Sequence, residues 1–324
     1  MIMTTILVCG ETLIDFLPEQ RGPLKSVDSF RRRPGGAPAN VAVGLSRLDT
    51  SVRFWTRVGD DPFGDFLVDT LVDAGLSDAL IEQDPDAKTG LAFVSLGRDA
   101  EREFSFHRTT SADTRLDPGR VDSDLLSDVS WVHFGGVTLA DDPARTATFD
   151  LARAAREAGA TVSFDPNARP ELWTDFDYAD SLSTALSLTD VAKVTDDDLA
   201  ATEFDTDQPP EAVAASVAAA GPHTVVVTLG SEGALAYATP DAPWNETGEP
   251  QTARHAGYAV EPVDTTGAGD GFTAGALASL AAGESLAAAV EQGNAVAALT
   301  TTETGAMTAL PTRKSLTTFQ TDQS

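Results

Sequence analysis

Asp264-Thr265-Thr266-Gly267-Ala268-Gly269-Asp270, followed at once by the small-residue segment Gly271 to Leu280, is a glycine-rich turn with a carboxylate at each end. The apolar period set by Phe272, Ala276, Leu277 and Leu280 predicts a helix over 271–282, with Gly267 to Asp270 at its N-terminus. Unpaired backbone N–H groups and the helix dipole favour an anion there, and glycines let a phosphate approach the backbone. A carboxylate beside an anion site is unfavourable unless it has a task, such as taking a proton from a hydroxyl that attacks the phosphate, so Asp270 is the candidate base. A plain helix cap, with Asp270 supporting the first turn, fits the same letters. The chain holds no Gly-x-x-x-x-Gly-Lys-Ser/Thr, and Gly267-x-Gly269-x-Gly271 lacks the spacing of a dinucleotide fingerprint.

Outward from this turn, short β-branched runs alternate with alanine-rich helical patterns, as βαβ units around a mostly parallel sheet do. Strands are expected at 6–10, 52–58, 131–134, 161–164, 191–194 and 224–229, and helices at 40–48, 64–74, 145–158, 211–220, 271–282 and 286–300. Two stretches, 14–33 and 89–106, alternate apolar and polar residues with no helix between their strands. They predict a small antiparallel sheet standing off the main body, fit to serve as a lid. Segments 205–211 and 239–251, rich in Pro, Asp, Thr and Gly, read as surface loops.

The 324 residues carry 50 acidic against 22 basic side chains, a net charge of −28. Such a surface repels nucleic acid, and the run Arg31-Arg32-Arg33 is too short to reverse that. Hydrophobic residues make up 42% and fall in periodic segments, which argues for a folded chain rather than an acidic disordered one. A folded protein this acidic suits high salt, where screening suppresses self-repulsion, so a halophilic cytosol is expected. The single Cys9, inside Ile6-Leu7-Val8-Cys9, reads as a small buried hydrophobe. Met1-Ile2-Met3-Thr4 is not the start of a signal peptide and no apolar run approaches ~18 residues, so a soluble cytoplasmic protein without membrane contact is expected. The sequon Asn245-Glu246-Thr247 is set aside as chance.

A second glycine motif, Pro34-Gly35-Gly36-Ala37-Pro38-Ala39-Asn40, precedes a helical pattern near the other end of the chain. Gly35 and Gly36 would let a ligand touch backbone N–H groups, and Asn40 can both donate to and accept from a sugar hydroxyl. A glycine loop with Asn40 as helix cap is the plainer alternative. Taken with Val58-Gly59-Asp60-Asp61-Pro62-Phe63-Gly64 and the Asp264 to Asp270 turn, the loop closely resembles the signatures of the PfkB, ribokinase-like carbohydrate kinases, from Gly10 to about Pro311.

That resemblance implies one kinase domain over 1–324 with a three-layer α/β/α fold, a mostly parallel central sheet and a β-sheet lid from about 14–33 and 89–108, often completed by homodimerisation through the lid. It implies transfer of the γ-phosphoryl of ATP, with Mg²⁺, to a sugar hydroxyl. Asp270 is assigned as base and the amides of Gly267, Ala268, Gly269 and Asp270 as anion hole. Asp15, Gly35, Gly36, Asn40, Arg108, Asp113, Asn167 and Arg169 match substrate positions. Lys193, Thr228, Gly230, Gly233 and Asn294 match positions around ATP. Asp264 and Thr266 match two ligands of a monovalent cation, such as K⁺, that some members bind. Two departures stand out: Thr195-Asp196-Asp197-Asp198 replaces an Asn-x-x-Glu element, leaving the shorter Asp198 to reach a water-bridged Mg²⁺, and Gly271 replaces an Ala and should loosen the helix start. The loop 34–45 and Ser111-Ala112-Asp113 look most like fructokinases. Arg108 and Arg169 keep a 2-keto-3-deoxygluconate kinase open, with ribokinase, nucleoside kinase and a non-catalytic sugar or nucleotide binder behind it.

Overall fold

The run Ile6-Leu7-Val8-Cys9 is buried on both sides: Leu7 and Cys9 belong to one core, Ile6 and Val8 to another. That is the pattern of a strand in a parallel sheet covered by helices on both faces. The computed structural model describes residues 4–96, 102–245 and 247–323; Met1 to Met3, positions 97–101 of the expected lid, Glu246 of the sequon and Ser324 lie outside them.

The strands are β1 (Thr5–Cys9), β2 (Leu13–Pro18), β3 (Phe30–Gly35), β4 (Ser51–Gly59), β5 (Ile81–Asp84), β6 (Leu91–Leu96), β7 (Arg102–His107), β8 (Trp131–Gly135), β9 (Thr161–Asp165), β10 (Val191–Val194), β11 (Thr224–Thr228), β12 (Ala234–Ala238) and β13 (Gln251–His255). The helices are α1 (Ala37–Arg47), α2 (Pro62–Asp73), α3 (Ser123–Leu126), α4 (Ala144–Glu157), α5 (Tyr178–Ser187), α6 (Asp196–Leu199), α7 (Pro210–Ala218), α8 (Ala268–Ala281), α9 (Leu286–Thr301), α10 (Ala306–Ala309) and α11 (Arg313–Gln323).

Nine strands form the main sheet in the order β13-β12-β11-β10-β9-β8-β1-β4-β5, parallel from β5 through β11, with β12 and β13 added antiparallel. Helices α3 to α7 pack on the face of Leu7 and Cys9, and α1 with α8 to α11 on the face of Ile6 and Val8. This is the expected three-layer α/β/α fold. Strand order reverses at β1, which pairs with β4 on one side and β8 on the other. In such sheets the crevice at the carboxyl ends beside that reversal binds ligands. Glu11, Asn167, Lys193 and Thr228 all lie at or just beyond the carboxyl ends of β1, β9, β10 and β11.

The small sheet has the order β3-β2-β6-β7. It corrects one expectation, because β2 and β6 run parallel, from Ile14 beside Leu91 to Phe16 beside Phe93. Between β3 and β6 the chain passes through α1, β4, α2 and β5, a crossover long enough to bring β6 back in the same direction as β2. Two helix starts also differ. Gly36 is the N-cap of α1, so Asn40 lies inside the first turns and is not the cap; Gly267, left-handed at φ 78°, is the N-cap of α8.

Candidate active site

Two cavities meet at the start of α8. The smaller, about 190 Å³, is lined by Glu11, Asp15, Gly36, Asn40, Asn167, Arg169 and Asp270, with Leu13 of β2 and Phe104 and Phe106 of β7 contributed by the small sheet. The larger, about 690 Å³, lies over the ends of β10 and β11 and is lined by Thr228, Gly230, Gly233, Phe272 and Asn294. Lys193 and Gly269 belong to both walls.

The chemistry at the junction is set by how two helices pack. Asn40 on α1 donates from Nδ2 to Asp270 Oδ2 on α8 at 2.7 Å. One turn further along each helix, a Cβ placed on Gly44 would lie 2.6 Å from Ala274 Cβ, so the absent side chain lets the helices approach closely enough for the bond above. Burial pushes the Asp270 carboxyl up, while the Asn40 hydrogen bond and the charges of Lys193 and Arg169 pull it back. A carboxylate with raised proton affinity that remains beside two cations is a competent general base.

Lys193 Nζ sits 3.2 Å from Asp165 Oδ2, and that pairing holds the ammonium charged despite its burial. Asp165 is pushed up to about 6, chiefly by burial against the pull of Lys193. Asp165 Oδ1 also accepts from the Asn167 N–H at 3.2 Å, and Asn167 adopts a left-handed φ of 41°, unusual outside glycine. The turn aims Asn167 and Arg169 at the small cavity, where Arg169 Nη1 donates to Ala168 O at 2.7 Å and the guanidinium lies 5.6 Å from the Phe104 ring centroid.

A model of the pfkB family of carbohydrate kinases matches residues 3–313. The chain belongs to that family. Probable fructokinase-6, chloroplastic, of Arabidopsis thaliana is 38% identical over 320 residues, spanning 96% of this chain and 81% of that protein. A fructokinase from Xylella fastidiosa solved with bound ATP has a TM-score of 0.84 at 33% identity, over 98% of each chain. A doubly substituted fructokinase from Vibrio cholerae O395, bound to fructose, ADP and potassium, has a TM-score of 0.79 at 34% identity, again over 98% of each. The protein is therefore a carbohydrate kinase, a phosphotransferase acting on a sugar.

Within this pfkB kinase several residues singled out by sequence sit differently from expectation. Arg108 and Asp113 line neither cavity: Arg108 is 3% exposed, with Nε 2.7 Å from Asp113 Oδ2 and Nη1 3.4 Å from Asp141 Oδ2. Gly35 also stands back from the cavity, where its lack of a side chain makes room for the Asp15 carboxylate, 2.2 Å from where a Cβ would be. Gly36 does line the cavity; at φ 103° a Cβ would fall 2.5 Å from Glu11 O. Asp198 lines neither cavity, since Oδ1 accepts from Ala168 N and Oδ2 from Thr195 N and Oγ1 in a capping box. Its neighbours Asp196 and Asp197 do face the larger cleft. Gly271, expected to loosen the helix, instead allows tight packing, for a Cβ there would lie 2.8 Å from Thr300 Oγ1.

In the glycine turn expected to hold an anion, the Ala268 N–H already donates to Thr265 O at 3.3 Å. Asp264 ties the turn down: Oδ1 accepts from Thr266 N and Oγ1, and Oδ2 from Gly305 N at 2.9 Å. A cavity-lining residue that sequence reasoning passed over is Glu11, buried in the wall of the small cavity. Its signal was present in Gly10-Glu11-Thr12, a carboxylate two residues after the apolar run Ile6 to Cys9.

Proposed function

We propose that this carbohydrate kinase transfers the γ-phosphoryl of ATP to D-fructose, giving fructose 6-phosphate, with the sugar in the small cavity and the nucleotide in the large one. The observation that carries the reading is the placement of Asp270 at the junction, bonded to Asn40 and bordered by the first turn of α8. Asp270 takes the proton from the attacking hydroxyl, and the first-turn amides with Lys193 stabilise charge on the transferring group. Asp15 and Asn40 hold sugar hydroxyls, and β2, β3, β6 and β7 form the lid that excludes water. Support for fructose comes from the fructokinases among its relatives and from Arg108, whose engagement with Asp113 removes one of the two cations that favoured a sugar acid.

Mg²⁺ enters this reading with the nucleotide. Among the described residues no group of three or more His, Cys, Asp or Glu could hold a metal alone, but Asp196 and Asp197 face the donor cleft, and Mg²⁺ needs only one or two carboxylates beside phosphates and water. When bound it neutralises charge on the phosphates. A K⁺ ion beside Asp264 and Thr266 is part of the same proposal, as is pairing of two copies through the small sheet. No helix among the described residues is long and apolar enough to cross a membrane. A cytoplasmic setting belongs to the same proposal, as does adaptation to high salt, which the net charge of −28 supports.

The test compares kcat/KM with MgATP for fructose, 2-keto-3-deoxygluconate, ribose and adenosine at molar KCl. Fructose is expected to lead; a lead for any other acceptor overturns the assignment. Sedimentation of the same sample reads the dimer, and replacing KCl by tetramethylammonium chloride reads the K⁺ requirement.

A further inference from the structure

Glu11 follows β1 by two residues, is 3% exposed and lines the small cavity. Its Oε1 accepts from the Ala37 N–H at 3.1 Å, while Oε2 is buried without a hydrogen-bond partner. Among the described residues, only two buried side-chain polar atoms that lack a partner belong to the wall of this cavity: Glu11 Oε2 and Asn40 Oδ1. Both are acceptors. An unmet buried acceptor is costly, and a cavity that keeps two of them is built for a ligand that brings donors.

We infer that Glu11 is a second hydroxyl-binding carboxylate of the acceptor cavity, receiving a hydrogen bond on Oε2, and that it selects neutral polyols against sugar acids. This rests on the sugar-kinase reading above. The surrounding charges support the selectivity. Asp15 from β2 and Asp270 from α8 share the wall with Glu11, giving three carboxylates against Arg169 and Lys193, of which Lys193 is already paired with Asp165. Behind Glu11, Arg108 draws its carboxyl down and Asp113 pushes it up, but burial prevails and lifts it to about 7. A sugar carboxylate brought here would meet an excess of negative charge, whereas a hydroxyl donor favours the ionised acid it binds.

The experiment is steady-state kinetics of wild type and Glu11→Gln with fructose, with 2-keto-3-deoxygluconate and with varied MgATP. The substitution keeps the shape and the oxygen facing Ala37 N but turns the Oε2 position into a donor. KM for fructose is expected to rise roughly tenfold or more, KM for MgATP to stay within about twofold, and the ratio of kcat/KM for the sugar acid over fructose to increase. Wild-type turnover of fructose alongside an unchanged fructose KM in the variant overturns the role of Glu11 alone. Absence of wild-type turnover on any sugar overturns the kinase reading and this inference with it. If Glu11→Gln fails to fold by circular dichroism, Glu11→Asp, which withdraws the carboxylate by one methylene, gives the same fructose readout.

Discussion

The two cavities differ in size and in how closely their polar groups are gathered. The donor cleft is large, with Thr228, Gly230, Gly233, Ala268 and Ala297 along its wall and Lys193, Asp196, Asp197, Glu232 and Arg254 spread among them. The acceptor cavity has roughly a quarter of that volume, about 190 against 690 Å³, and packs Glu11, Asp15, Asn40, Arg169 and Asp270 around it. Under the proposed function the small cavity surrounds a sugar closely with side-chain hydrogen-bonding groups, and the large one leaves room for a nucleotide against strand ends and turns. Substitutions on the acceptor wall should change rate and sugar selectivity, and those on the donor wall away from the shared Lys193 and the first turn of α8 should chiefly alter nucleotide affinity.

The strongest test of that division is Asp270→Asn. Stopped assays should show kcat reduced by about 10²–10⁴-fold with only a modest change in either KM, because the base is lost and the shape kept. Next, Gly233→Ala places a Cβ 2.0 Å from His255 O at a φ of 84°, so the β12-β13 hairpin must shift. KM for MgATP should rise by roughly tenfold while that for sugar holds; an equal rise in both would break the division. A smaller effect is expected from Gly44→Ala, which touches no substrate but pushes α1 from α8 at Ala274. Weakening the Asn40 bond, which lowers the pKa of Asp270, should shift the acidic limb of the kcat–pH profile to higher pH and reduce kcat by roughly threefold.

The smallest expected effect is on stability. Burial pushes the Glu11 carboxyl up to about 7 in the folded state from its ordinary 4.5, so the native state binds this proton more tightly than the unfolded one. Its favourable contribution is complete below 4.5 and is lost as pH rises through 7. Glu11→Gln has no such loss. Thermal melts should therefore show the variant gaining roughly 1–3 °C over wild type at pH 8.5, with the gain vanishing towards pH 4.5.

Much of the fold was legible because most main-sheet strands are buried apolar runs that alternate with alanine-rich helical segments, so β10 falls at 191–194 as read from sequence. Less legible was β12, whose Ala234-Leu235-Ala236-Tyr237-Ala238 favours a helix by composition and becomes a strand only through pairing with β11 and β13. The parallel pairing of β2 with β6 was equally hidden, since local alternation marks a strand but not its neighbour's direction. At the site, the glycine turns announced themselves. Arg108 misled because its partner Asp113, five residues on, is set against it only by the turn between them. The shortened Asp198 is visible in the sequence, but its capture by Thr195 and Ala168 depends on a fold that brings residues 168 and 198 together.

The small sheet and the base are joined by a very short piece of chain. β3 ends at Gly35, Gly36 caps α1, and Asn40 lies four residues further on with its amide on Asp270. Gly36 tolerates no side chain, since at φ 103° a Cβ there would fall 2.5 Å from Glu11 O. Only this glycine and the first turn of α1 therefore separate the end of the small sheet from the amide that lowers the proton affinity of Asp270. A protonated Asp270 holds the Asn40 amide less firmly than the charged one, so the charge of this carboxyl bears on how tightly α1 is fastened to α8.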